Sequence, residues 1–257
     1  IIIAFAIYLA TTLADKEATR KGYRKEFIID LVFWAVPLGF VGARLYYILF
    51  EWQYYLANPG EIIQIWHGGI AIYGGVIAGA ATVYWFAKKE KVSFALLLDI
   101  LAPVVLLAQA IGRWGNFTNQ EAHGEVVTRA FLEGLHLPTF IIEQIDGAYY
   151  HPTFLYESLW SFVGVLILFY LRRRKGVKVG EIMAGYLMWY SFGRFFIEGM
   201  RTDSLWLFGV IRISQLVSIV LFLLGVAIVV VRRRRVPAVP DYVSVDNPQS
   251  PALFGKA

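Results

Sequence analysis

The segment YSFGRFFIEGMR sets Tyr190, Arg194, Glu198 and Arg201 at i, i+4, i+8 and i+11. On a helix these positions share one face. A guanidinium fork matches phosphate oxygens in a bidentate way, so the face reads as an anion site. The competing reading is snorkelling plus an Arg–Glu ion pair that stitches helices together. A second segment, GRWGNFTNQEAHG, brings Arg113 together with Asn116, Asn119 and Glu121. Gly112 and Gly115 are expected to turn the backbone tightly there. The amides and Glu121 are expected to satisfy exposed backbone groups or to hold a ligand. In HPTFLYES, Thr153 and Glu157 stand four apart, and Glu157 lies inside an apolar block. Such a carboxylate should face other helices and find a partner. WHGGIAIYGGVIAG supplies His67 and Tyr73, two groups able to act as acid or base. Its paired glycines allow close helix or lipid approach, and Gly79 is read as a helix-packing residue. Arg44 and Asp99 are further charges inside apolar blocks, and their pairing with one another is left open.

The elements that carry these residues are apolar. Of the 257 residues, 17% are charged, against about 25% in a soluble domain. Seven apolar blocks run roughly over 1–13, 27–50, 67–87, 93–111, 153–171, 180–200 and 210–231. A bilayer-spanning helix needs roughly 20 such residues, so the chain is expected to be an all-α polytopic membrane protein of about seven spans. The chain opens inside a block at Ile1, and the first span is expected to be cut short. Arginines in spans cost at least ~2.5 kcal/mol each at the bilayer centre and less toward its surface.

The basic clusters DKEATRKGYRKE, KKEK, RRRKGVK and RRRR follow the first, third, fifth and seventh blocks. All therefore lie on one side, which the positive-inside rule makes cytoplasmic, with the N-terminus outside. Arg113 and Arg194 then both stand at the outer membrane level. The net charge of +5 reads as a topology signal facing anionic lipid, not as a nucleic-acid footprint. One transmembrane domain is expected over 1–235, with a small extracytoplasmic head at about 112–152 and a disordered cytoplasmic tail over 236–257.

There are no cysteines, which excludes disulfides, thiolate metal sites and a cysteine nucleophile within the chain. No HExxH, Walker loop, Ser–His–Asp spacing or metal-ligand cluster is visible, and no metal or cofactor is expected. What remains is an outward-facing pocket at lipid level, with cations, amides, carboxylates and aromatic walls. A phospholipid headgroup is the natural anion at that depth. A transporter or channel for an anion or lipid is the alternative class, and a non-catalytic scaffold is a third. The charges cluster at one level, and no polar chain crosses to the other side.

The residues resemble a known family, the prolipoprotein diacylglyceryl transferases of bacterial inner membranes. Its signature is met by Gly112, Arg113, Gly115, Asn116, Phe117, Asn119, Glu121 and Gly124. Its His-Pro-Ser/Thr and Leu-Tyr-Glu element corresponds to His151, Pro152, Thr153, Leu155, Tyr156 and Glu157. Its late Arg-Phe…Glu…Arg helix corresponds to Arg194, Phe195, Glu198 and Arg201, with Tyr190 one turn earlier. Gly68, Gly69, Gly74 and Gly75 match its glycine pairs. Where some members carry a histidine before the second pair, this chain has Tyr73, with His67 nearby.

The resemblance implies transfer of the diacylglyceryl group from phosphatidylglycerol to the lipobox cysteine of a preprolipoprotein signal peptide. A thioether would form and glycerol phosphate would leave, in the bacterial cytoplasmic membrane. Arg113 and Arg194 are assigned to the phosphate. Asn116, Asn119, Gly124, His151, Glu157, Glu198 and Arg201 are assigned to the headgroup and its surroundings. Tyr190 is assigned to phosphate contact or proton transfer. The attacking species is a thiolate, so a base is needed. His67, Tyr73 and Glu121 compete for that role.

Overall fold

The structure, a computed structural model, describes residues 1–145, 147–202, 206–207, 211–234 and 239–245. It is helical: α1 (Ile2–Arg20), α2 (Phe27–Phe50), α3 (Trp52–Ala57), α4 (Ile72–Lys89), α5 (Phe94–Asn119), α6 (Arg129–Gly134), α7 (Thr139–Ile142), α8 (Thr153–Leu171), α9 (Glu181–Gly199) and α10 (Ile213–Arg234). A two-residue antiparallel ladder sets Trp206 opposite Arg212 and Leu207 opposite Ile211. Among the described residues, α2, α5, α8 and α10 are long and apolar enough to cross a membrane. Their outer faces keep large apolar side chains exposed, among them Phe33, Phe40, Phe162, Leu166, Val220 and Leu223. A surface of that kind is stable against hydrocarbon and unstable against water.

Two compact units form, one over 1–14 and 98–245 and the other, in the described residues, over 15–97. In the second unit α2 starts where Asp15 accepts from the backbone N–H of Ile28 at 3.1 Å. Glu26, just before it, takes a left-handed φ of 66°. Helices α2 and α4 then meet backbone to backbone. A Cβ on Gly42 would lie 2.2 Å from the Ala78 Cβ, and one on Gly74 would lie 2.4 Å from the Gly42 carbonyl oxygen. Glycine is the only residue that permits this approach. Gly79, read above as the packing glycine, has nothing within 4 Å of such a Cβ. The packing contact falls instead on Gly42 and Gly74, because only their faces of α2 and α4 look at one another.

In the first unit, α8 and α9 are joined by a reciprocal contact. Trp160 and Trp189 stack with centroids 4.3 Å apart. Each indole N–H donates to the other tryptophan's backbone carbonyl at 2.9 Å. Each ring also covers a glycine of the facing helix, Gly193 under Trp160 and Gly164 under Trp189. Each tryptophan stands four positions before the glycine on its own helix, so the missing side chain is what opens that carbonyl to a second donor. A Cβ on Gly193 would sit 2.2 Å from the Trp160 Nε1. Gly193→Ala is therefore expected to lower stability by about 1–3 kcal/mol through overpacking. Gly79→Ala, with open space around it, should be neutral or stabilising by up to about 1 kcal/mol. Thermal melts of the two variants in detergent check the contrast.

Asp99 and Arg44, whose mutual pairing was left open, each find backbone partners within their own unit. Asp99 Oδ1 accepts from the Met183 N–H at 2.8 Å and Oδ2 from the Gly180 N–H, which caps the start of α9. Arg44 donates to the carbonyls of Ile62, Gly68 and Gly69 at 2.7–2.9 Å and lies over the Tyr55 ring.

Two boundaries are corrected. Helix α5 continues eight residues beyond the span end read at 111, through Gly112 and Gly115, to Asn119. Those glycines are helical and not turn residues, because the strong helix formers before them carry the helix on. It stops at Gln120, whose φ of 53° is left-handed. In the tail, Val239–Val245 is ordered. Val179 N–H donates to the Pro240 carbonyl and Tyr242 N–H to the Val177 carbonyl, at 3.0 and 2.7 Å. Tyr242 is fully buried. Lys178 pairs with Asp241 at 2.8 Å and holds that carboxyl below its usual range. Burial of one aromatic ring and two backbone bonds outweigh the low hydropathy from which disorder was expected. Residues 235–238 and 246–257 lie outside the described residues.

Candidate functional site

Residues 122–125, just beyond α5, are stitched to the start of α8. Gly124 N–H donates to the His151 carbonyl at 3.0 Å, and His151 N–H to the Glu125 carbonyl at 3.0 Å. Thr153 Oγ1 donates to the Ala122 carbonyl at 2.6 Å. Gly124 also bridges to Arg201 beyond the end of α9. A Cβ there would lie 2.6 Å from the His151 Cβ and 3.0 Å from the Met200 carbonyl oxygen. Gly124 thus lets three helix ends converge. Farther along α5 and α8, Trp114 Nε1 donates to Ser158 Oγ at 3.2 Å, and Ser158 Oγ donates to the Ala110 carbonyl at 2.9 Å.

This convergence makes Glu157, in the second turn of α8, the centre of a charge cluster. Arg113 from α5 pairs through Nε with Glu157 Oε2. Arg194 from α9 pairs through Nη1 with Glu157 Oε1 at 2.6 Å. Arg194 also reaches Glu198 Oε2 through Nη2 at 2.5 Å, one helical turn on. Arg201 Nη1 lies 4.0 Å from Glu157 Oε1. Arg212 donates to the Glu198 backbone carbonyl. The Glu157 and Glu198 side chains are 7% and 2% exposed, so their charges depend on these partners. Among the described residues, the guanidiniums of Arg113, Arg194 and Arg201 gather round the carboxylates of Glu157 and Glu198. Arg113 is the most open of the set at 22% exposed. Beyond its Nε contact, its two Nη groups have no protein partner among the described residues. Those Nη groups form the end-on fork of the guanidinium, suited to a phosphate or carboxylate.

Of the residues expected in the site, Arg113, Glu157, Arg194, Glu198 and Arg201 are brought together, with Gly124 and His151 at the seam behind them. Asn116 and Asn119 donate to Glu121 Oε1 at 3.2 and 3.1 Å, which ties Glu121 to the end of α5. Tyr190, one turn before Arg194, stacks on Tyr186 with centroids 6.0 Å apart. His151 Nδ1 lies 3.4 Å from the Tyr156 hydroxyl. His67 and Tyr73 belong to the other unit. His67 lines a cavity of about 350 Å³ with Arg44, Tyr47, Tyr54 and Glu61. Tyr73 stands in the first turn of α4 and is 40% exposed. The centrality of Glu157 was not legible in the sequence, which left its partner unnamed. Arg212 and Gln109 were missed. Gln109 carried a signal, an amide in an apolar run four residues before Arg113. Among the described residues, no cluster of His, Asp or Glu has the form of a metal site.

A family model described as Prolipoprotein diacylglyceryl transferase matches residues 1–231. The chain is 55% identical over 258 residues to a protein of Listeria monocytogenes named phosphatidylglycerol–prolipoprotein diacylglyceryl transferase, covering 100% of this chain and 90% of that one. It is 55% identical over 248 residues to a protein of the same name from Bacillus velezensis, with 96% and 91% covered. A Bacillus cereus protein, again of that name, is 56% identical over 236 residues, with 91% and 87% covered.

Proposed function

The chain belongs to the prolipoprotein diacylglyceryl transferase family, and from that membership we propose the chemistry of its charge cluster. The protein moves the diacylglyceryl group of phosphatidylglycerol to the cysteine thiol of a preprolipoprotein lipobox. The sulfur bonds to the glycerol carbon that carries the phosphate. The bond from that carbon to the phosphate oxygen breaks, and glycerol phosphate leaves with the electron pair. The thiol proton passes to a base, for which His67, Tyr73 and Glu121 are the candidates.

The observation that carries this reading is the split of one carboxylate between two helices, Glu157 with Arg113 on one oxygen and Arg194 on the other. Glu157 holds the two guanidiniums side by side without exhausting their donors. Negative charge grows on the phosphate as the carbon–oxygen bond breaks. Donors fixed beforehand stabilise that charge without reorganising at the moment of reaction. Arg113 offers its Nη fork to the phosphate, and Arg194 supplies the second charge. Glu198 and Arg201 set the orientation of Arg194 and Glu157. Tyr190 contacts the phosphate or passes a proton. Asn116, Asn119, Gly124 and His151 shape the headgroup side.

The same reading makes residues 1–235 one membrane domain of seven spans. Its N-terminus is outside, its C-terminus is in the cytoplasm, and the segment beyond α5 is an outer head. The cationic cluster then lies at the outer leaflet of the bacterial cytoplasmic membrane. The test incubates purified protein with phosphatidylglycerol vesicles and a lipobox peptide. The expected product is a peptide whose cysteine has gained the mass of a diacylglyceryl group. Folded protein that yields none defeats the reading.

A further inference from the structure

Gln109 stands four residues before Arg113 on α5, and Tyr186 stands eight before Arg194 on α9. At 1.5 Å per residue they lie about 6 and 12 Å from the arginines, toward the start of each helix. Gln109 Nε2 donates to the Tyr186 hydroxyl at 3.0 Å. Gln109 Oε1 is buried and has no partner among the described residues. An amide with one end unpaired is costly in an apolar surrounding. The phenol, having accepted a bond, keeps its own proton to donate. If the amide is turned over, the phenol donates to Oε1 and the Nε2 protons are kept instead. In either arrangement the pair keeps a donor that nothing in its own unit consumes among the described residues. No chemistry assigned to the charge cluster uses this pair.

A glycerophospholipid has a matching group. Its acyl ester carbonyls accept hydrogen bonds and cannot donate them. They hang a few bonds from the phosphate, on the side toward the hydrocarbon. Resting on the reading that phosphatidylglycerol sits with its phosphate at Arg113 and Arg194, we infer that Gln109 and Tyr186 form a seat for one ester carbonyl. The seat holds the glycerol carbon in line with the incoming sulfur and selects acyl esters over alkyl ethers. A site built to bond a polar substrate group rejects the analogue that lacks it, because its own buried group is then left unpaired.

The test compares phosphatidylglycerol carrying two acyl esters with a dialkyl ether analogue of matched chain length, using a lipobox peptide as acceptor. Wild-type protein is expected to use the ether lipid about tenfold less well in kcat/KM, the effect of one lost hydrogen bond to a buried group. Tyr186→Phe and, separately, Gln109→Leu should lose about the same factor on the ester lipid and nothing further on the ether lipid. Equal use of both lipids by wild-type protein overturns the proposal. So does an equal loss on both lipids in the two variants, which marks a packing role. Wild-type protein inactive on both lipids removes the transfer reading and the seat with it.

Discussion

Arg113→Ala lowers kcat/KM for diacylglyceryl transfer by about 10²–10³-fold, the size of losing one preorganised donor to a developing anion. Its melting temperature shifts by only about 2–4 °C, which corresponds to about 1 kcal/mol in a chain of this length. The separation of activity from stability follows from how Arg113 is held. Among the described residues it makes one ion pair, through Nε, and its side chain is 22% exposed. Glu157 keeps Arg194 at 2.6 Å when Arg113 is gone, so no buried carboxylate is stranded. Arg113→Lys should not rescue the rate, because one ammonium cannot both replace the Nε contact and present a planar fork. Arg194→Ala behaves differently. It removes a partner from Glu157 and from Glu198, the latter 2% exposed, and should lose stability along with activity. Steady-state rates with phosphatidylglycerol vesicles, alongside melts in detergent, check both variants. Near-normal turnover in Arg113→Ala removes its role at the phosphate.

Glu157→Gln is expected to have the largest effect on stability of any single change in the cluster. The carboxylate is 7% exposed and takes an arginine on each oxygen. The amide keeps the shape, but its Nε2 turns two protons toward one of the guanidiniums. Breaking a buried pair in this way costs about 3–5 kcal/mol, so a marked fall in melting temperature is expected. The kinetic pattern is diagnostic. Glu157 and the lipid phosphate compete for the same guanidiniums, so neutralising Glu157 leaves more positive charge for the lipid. The KM for phosphatidylglycerol should hold or fall while kcat drops by about 10²-fold, as the guanidiniums lose their fixed spacing. A raised KM with unchanged kcat contradicts this and makes Glu157 a direct lipid contact.

The candidate site was legible in part because charged residues are expensive among apolar ones. Arg113, Glu157, Arg194, Glu198 and Arg201 stand out in a chain that is 17% charged, and each is in the cluster or at its edge. Helical spacing also explains why Arg194 and Glu198, four apart, pair within α9. Spacing failed where packing decides. The end of α5 was set early because Gly112 and Gly115 read as breakers, and the preceding helix carries through both. Of the glycines read for close approach, Gly74 meets α2 and Gly79 does not, since which face of α4 meets α2 is not encoded in the local pattern. The order of Val239–Val245 comes from a distant partner, the segment around Val177–Val179, that no window of sequence contains.

By itself the sequence determined that this protein is helical and apolar and that a few charges stand isolated within its apolar blocks, because composition and isolated charges are properties of the chain and survive any arrangement of it. It also carried the family motifs almost entire. Only the tertiary structure decided that Glu157 is the residue on which Arg113 and Arg194 converge, and that Gln109 finds Tyr186 across 77 positions. Pairing of that kind depends on which helix ends are drawn together. Here that is settled by a backbone contact at Gly124 and by tryptophans lying over glycines, contacts whose meaning appears only when the partner is in place.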